Sequence, residues 1–170
     1  MEKTETKHFR NLLKDFDTAV LITHGQQTHF SSRPMVIARV EDNCDLWFIT
    51  NENSAKVHEI EADTRAHVVC QNGRSSCVTV SGHACIIRDR VTINELWRPA
   101  YRVWLPQGVN DPRIVLIQVA GEHGEYWDNT GAKGITYVYR AIKAVVTGTT
   151  PEVTEGEHHG HVDLMHRALP

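Results

Sequence analysis

"LWFITNENSAK", Leu46–Lys56, decides the fold. Its first half, Leu46–Thr50, is a short apolar run with the aromatic and β-branched character of a strand. Asn51, Glu52 and Asn53 form a polar turn. Ser54–Ala62 follows as a short helix with Val57 and Ile60 facing inward. A strand that stops on Thr50 and enters a helix this way has two readings: a routine turn, or a cradle for an anion, phosphate first among them. Asn53 or Ser54 can cap the helix. The first-turn amides then point outward and, with the helix dipole, favour negative charge. Lys56 adds a mobile cation, and Arg33 adds a bidentate one if its strand lies alongside. These residues alone leave both readings open.

Outward from that stretch, strands dominate. Ala19–Thr23, Met35–Val40, Ala66–Gln71, Cys77–Ile87 and Ile114–Val119 are rich in Val, Ile, Cys and aromatics, and Gly25, Glu41–Asn43 and Asn72–Ser75 separate several of them as turns. Phe9, Leu12, Leu13 and Phe16 stand at i, i+3, i+4, i+7, one face of an N-terminal helix. Thr92–Trp97 reads as a shorter helix. A longer one is expected after Gly131, with Ile135, Val138, Tyr139, Ile142, Val145 and Val146 on one face. Closely spaced strands with few long helices predict a mainly β fold with flanking α, a six-stranded antiparallel barrel. Residues 1–148 read as one domain. Residues 149–170 read as a polar, His-rich tail that is loosely held.

The 170 residues carry a net charge of −3 and are 41% hydrophobic, an ordinary globular composition. Without clustered Lys and Arg, no nucleic-acid partner is expected. No stretch has the length of an apolar membrane span, and the polar N-terminus is unlike a signal peptide, so a cytoplasmic location is expected. Cys44, Cys70, Cys77 and Cys85 include no C-x-x-C pair and read as thiols in a reducing compartment. No G-x-G-x-x-G, Walker or G-x-S-x-G pattern occurs. His158, His159, His161 and His166, placed on a flexible tail, predict no specific metal site.

Five stretches together resemble the FMN-binding split barrel of the pyridoxamine 5′-phosphate oxidase superfamily, most closely its small general stress protein branch. They are "RPMVIA" (Arg33–Ala38), "LWFITNENSAK", "VTVSGHA" (Val78–Ala84), "DPRIVLIQV" (Asp111–Val119) and "EYWD" (Glu125–Asp128). The resemblance implies a homodimer with flavin at the interface. It places Arg33, Thr50, Ser54, Ala55 and Lys56 around the FMN phosphate, and Pro34, Met35, Val36 and Ile49 along the isoalloxazine edge. Cys77 and Trp127 stand where the family has further flavin contacts. Two departures are plain: Ala55 replaces a second basic residue, and Cys77 replaces a glutamine of the oxidase.

FMN is therefore the expected cofactor, with FAD also compatible. The expected function is an FMN-dependent oxidoreductase on an unidentified small substrate. The alternatives are a flavin-binding stress protein without turnover and a barrel reassigned to haem or a deazaflavin. Pyridoxamine 5′-phosphate oxidase activity itself is not expected. In the family this chain resembles, the oxidase proper carries an Arg-x-His type substrate-phosphate motif shortly after its tryptophan, and here "DNTGAKGITYVYR" follows Trp127 instead. The connection Arg98–Pro112 is long enough to suggest a place near the cofactor mouth or at a dimer contact.

Overall fold

Alternation sets the sheet. In β1 (Thr18–His24), Ala19, Leu21 and Thr23 are buried between more exposed neighbours. This is the period-two pattern of a strand with one face on a core. The computed structural model describes residues 4–25, 29–72, 76–128 and 159–165. Within them lie β2 (Phe30–Val36), β3 (Arg39–Val40), β4 (Leu46–Asn51), β5 (Arg65–Asn72), β6 (Ser76–Ile87), β7 (Ile114–Asp128) and β8 (His159–Asp163). All pair antiparallel, in the order β2-β1-β5-β6-β7-β4-β3, with β8 added to β7.

The two ends of this sheet are consecutive in the chain. β2 runs through Ile37 and Ala38 into β3, and the Ala38 amide donates to the Trp47 carbonyl at 2.8 Å. The barrel is thus closed by a short crossing rather than by a full ladder, which is the split-barrel architecture. α1 (Thr4–Lys14) covers it with Phe9, Leu12 and Leu13, as their spacing predicts. Inside lie Leu21, Leu46, Phe48, Val68, Val80 and Ile117. A second apolar cluster forms where α3 (Arg90–Leu96) meets β4 and β7, with Trp47, Ile93, Leu96, Tyr101 and Leu116. Trp47 and Phe48 therefore face opposite sides of β4, each into its own core.

Several boundaries differ from the sequence expectation. Met35–Val40 splits at Ile37, because the chain crosses from one sheet end to the other there. Phe30–Ser32 joins β2 despite its serines. Pro34 is tolerated because β2 is an edge strand paired only with β1. β7 runs nine residues beyond Val119, through Gly121 and Gly124, whose missing side chains obscure the alternation. The tail reading is corrected in part: His159–Asp163 is not loose but pairs along β7. Arg98–Pro112 is fastened by packing, since Tyr101 and Leu105 join the second core and the Arg98 guanidinium donates to the Ala38 carbonyl. The helix expected after Gly131 lies outside the described residues.

Gly82 marks a register shift between β6 and β7. A Cβ there would sit 1.9 Å from the Ala120 carbonyl oxygen, a backbone atom with little room to move. Gly82→Ala should destabilise the fold by about 1–3 kcal/mol, the usual cost of overpacking. Urea unfolding checks this, and an unchanged midpoint would contradict the close approach of these strands.

Candidate cofactor-phosphate site

The turn after β4 delivers its residues as a small cationic group. The Asn53 amide donates to the Asn51 side-chain oxygen, and the Ser54 amide to the Asn51 carbonyl. This Asx-type turn reverses the chain at the strand end. α2 (Ala55–Ala62) begins at once, with Ser54 as N-cap. The Ser54 hydroxyl makes no capping hydrogen bond. It lies 3.4 Å from the Thr50 hydroxyl instead. The Val57 amide turns back to the Ser54 carbonyl at 3.0 Å, so the donors this helix start offers are the amides of Ala55 and Lys56, which have no partner within the helix. Lys56 Nζ donates to Thr50 Oγ1 at 3.2 Å, which draws the ammonium back over the strand end.

Arg33 reaches the same place from β2. Pairing sets Ser31 opposite Thr23, with Arg33 two residues on along the same face. The Arg33 fork donates to Thr23 Oγ1 and, at 2.6 Å, to the Glu59 carboxylate. Glu59 stands one turn after Lys56 on α2, so both face the same way. Burial works to raise the Glu59 carboxyl, but hydrogen bonds from Thr23, Ser31 and Arg33 outweigh it and hold it below its ordinary value. Burial pushes Lys56 down, Arg33 pushes it further, and Glu59 only partly offsets them. Two cations thus share one carboxylate, and a second anion would relieve the excess. Arg33 has five N–H donors and commits two of them to these partners, so it can hold Glu59 and another anion together.

The expected site residues divide into two groups. Arg33, Thr50, Ser54 and Lys56 come together, and Ala55 is exposed as the first residue of α2. Met35 packs on the barrel core, Val36 and Ile49 on the second cluster, and Pro34 is exposed on the edge strand. Cys77 and Trp127 do not join them. They face each other across β6 and β7, and Trp127 lies twelve residues along β7 from Val115, the partner of Thr50. That is up to about 40 Å of strand. A single chain therefore builds the anion end of such a site but keeps Cys77 and Trp127 at its far end. Burial pushes the Cys77 thiol up, and Trp127 remains 38% exposed.

Glu59, Thr23 and Ser31 were missed from sequence. The i, i+3 spacing of Lys56 and Glu59 was the available signal, but without the β1–β2 pairing nothing aims it at Arg33. His24 and His29 line a cavity of about 550 Å³ with Ser31, His58, Glu59 and Arg65. That cavity adjoins the cradle through Ala55 and Glu59, and His24, His29, His58, Asp63 and Arg65 stand around it.

A split barrel with an uncapped, lysine-bearing helix start beside a half-buried arginine is the class of protein defined here. The chain matches the family described as Pyridoxamine 5′-phosphate oxidase like over residues 4–152, and it belongs to that family. It is 30% identical over 149 residues to Protein bli-3 of Neurospora crassa, covering 81% of this chain and 65% of that one. The chain therefore spans a little under two thirds of that relative's length. Among solved structures it is similar to a putative general stress protein 26 from Jannaschia sp. CCS1. The two are 24% identical with a TM-score of 0.71, over 95% of this chain and 99% of that one. It is also similar to a pyridoxamine 5′-phosphate oxidase-related, FMN binding protein from Nostoc punctiforme PCC 73102. There the identity is 18% and the TM-score 0.57, over 76% and 83% of the two chains. At these identities the structural likeness establishes the fold. Among the described residues, no helix is long and apolar enough to cross a membrane.

Proposed function

We propose that this chain binds FMN as a homodimer and serves as a flavin-dependent oxidoreductase on a small substrate. The observation that carries the reading is the surplus of cation at the start of α2, where Lys56 and Arg33 flank a helix N-terminus whose cap serine makes no capping hydrogen bond. A phosphate dianion suits that place. Thr50, Ser54 and the first amides of α2 supply neutral donors, and Lys56 and Arg33 supply charge. Family membership and the FMN-binding relative support flavin over other phosphate ligands.

Flavin itself supplies the electron-transfer chemistry when bound, so the protein's task is to hold it, orient it and limit water. The separation of Trp127 and Cys77 from the cradle supports a site completed across a twofold axis, since a second chain would bring its far β6–β7 end to this chain's cradle. Ile49 and Val36, which share the second cluster, offer apolar wall on this side, and Trp127 of the other copy a flat face.

Anaerobic mixing of the flavin-loaded protein with NADH or NADPH tests the catalytic part of the proposal. Rapid bleaching of the flavin absorbance is the expected result. Flavin that binds but stays oxidised with both donors would reject them as its reductants and favour a flavin-binding stress protein.

A further inference from the structure

The strand β8 changes the meaning of the C-terminal histidines. Val162 points into the barrel core, so His159 and His161, on the alternate positions of the pleat, share the opposite face. Register sets His161 directly across from Glu125 and His159 across from Trp127. Glu125 is then the direct neighbour of one histidine and the diagonal neighbour of the other. His161 Nδ1 lies 3.2 Å from a Glu125 carboxylate oxygen, and the two imidazole rings are 4.6 Å apart. One ligand-type atom from each of the three residues falls within 4.8 Å of the others.

His159 is held more firmly than a surface histidine. Its ring stacks on the Trp127 indole at 4.7 Å and 20°. Its Nε2 is buried and has no hydrogen-bond partner among the described residues. A polar atom left so is costly unless something outside the described chain satisfies it.

We propose that Glu125, His159 and His161 form a binding site for a divalent transition-metal cation of the zinc class. Two imidazoles and a carboxylate are borderline donors suited to such an ion, and three protein ligands leave one tetrahedral position open. Tetrahedral ligands 2.0–2.1 Å from zinc lie about 3.3 Å from one another. The exposed side chains of His161 and Glu125 can rotate inward to reach that spacing, while the stacked His159 stays in place. The bound ion joins β8 to β7 through side chains as well as through the backbone ladder, beside Trp127. None of its three ligands belongs to the phosphate cradle, while His159 stacks on Trp127, the residue the flavin reading uses at the far end of β7.

The test is cobalt(II) titration of the full chain after chelator treatment, watched by visible absorbance, with zinc competition. The expected result is one equivalent per chain, displaced by zinc. His159→Ala or His161→Ala should weaken binding by at least about 100-fold, the upper end of what losing even an outer-shell partner costs. Glu125→Gln keeps the side-chain shape and removes the charge, so it should weaken binding by at least about 10-fold with β8 in place. The double variant His158→Ala/His166→Ala should bind as the parent does. Failure to bind one equivalent would overturn the site. So would indifference to Glu125→Gln, or loss of binding in the His158/His166 variant, since each points to adventitious capture by histidines outside the three-residue cluster.

Discussion

Replacing Lys56 with methionine is expected to weaken FMN binding about 10- to 100-fold and to leave riboflavin binding nearly unchanged. A hydrogen bond between charged groups contributes about 1.5–3 kcal/mol, which sets that range. Riboflavin shares the ring and ribityl chain of FMN and lacks only the phosphate, so the difference between the two ligands isolates the contact in question. The free protein should not be destabilised by the same change. Burial and the neighbouring Arg33 lower the Lys56 pKa in the folded state below its ordinary 10.5. Its charged form therefore costs the fold free energy below the folded pKa, and that cost is relieved only as pH rises towards the unfolded value. At neutral pH the native chain carries this cost and the methionine variant does not. Parallel titrations with the two ligands, and a thermal melt without ligand, check all three statements. Equal loss for both ligands, or a lower melting temperature of the free protein, would contradict the assignment.

The second large effect is on stability. Arg33→Met should destabilise the free protein by about 2 kcal/mol at neutral pH. That is less than the 3–5 kcal/mol of a fully enclosed ion pair, because the Arg33 and Glu59 side chains keep 19% and 15% of their exposure. The loss comes from Glu59, left as a carboxylate with the hydroxyls of Thr23 and Ser31 and only the through-space charge of Lys56 in place of the Arg33 fork. Its pH dependence follows from the direction of the shift. In the native chain the Glu59 pKa lies below its ordinary 4.5, so its contribution is complete above that value and fades as pH falls through the folded pKa. In the variant both the hydrogen bond and the charge of Arg33 are gone, and burial favours the neutral acid. The gap between native and variant stability should therefore narrow as pH falls to about 4. Glu59→Gln in the Arg33→Met background should recover part of the loss at neutral pH. Urea unfolding at the two pH values reads both effects, and a gap that is the same at both would reject the pairing.

Much of this was legible in the chain because it depended on local pattern. The strand end at Thr50, the helix start at Ser54 and the inward Val57 and Ile60 all follow from short-range chemistry. Phe9, Leu12 and Leu13 fixed the face of α1 by spacing alone. What the sequence hid were relations made by strand pairing. Nothing local says that Glu59 meets Arg33, because that contact needs β1 and β2 side by side beneath α2. Nor does it say that Cys77 and Trp127 lie far from Thr50, a fact carried by the length of β7. The segment His159–Asp163 misled for a different reason. Three of its five residues are polar or charged and one is glycine, so its alternation rests on Val162 alone, and only the waiting edge of β7 makes it a strand.

The central claim is that Thr50–Lys56 and Arg33 hold the phosphate of a flavin. Titration of the purified chain with FMN and with riboflavin, followed by flavin fluorescence, tests it most directly. The account predicts saturable quenching at one FMN per chain, with riboflavin bound clearly more weakly. Fluorescence that stays unchanged as FMN is added, or equal affinity for the two ligands, would contradict it and leave Ser54 and Lys56 as an ordinary helix start.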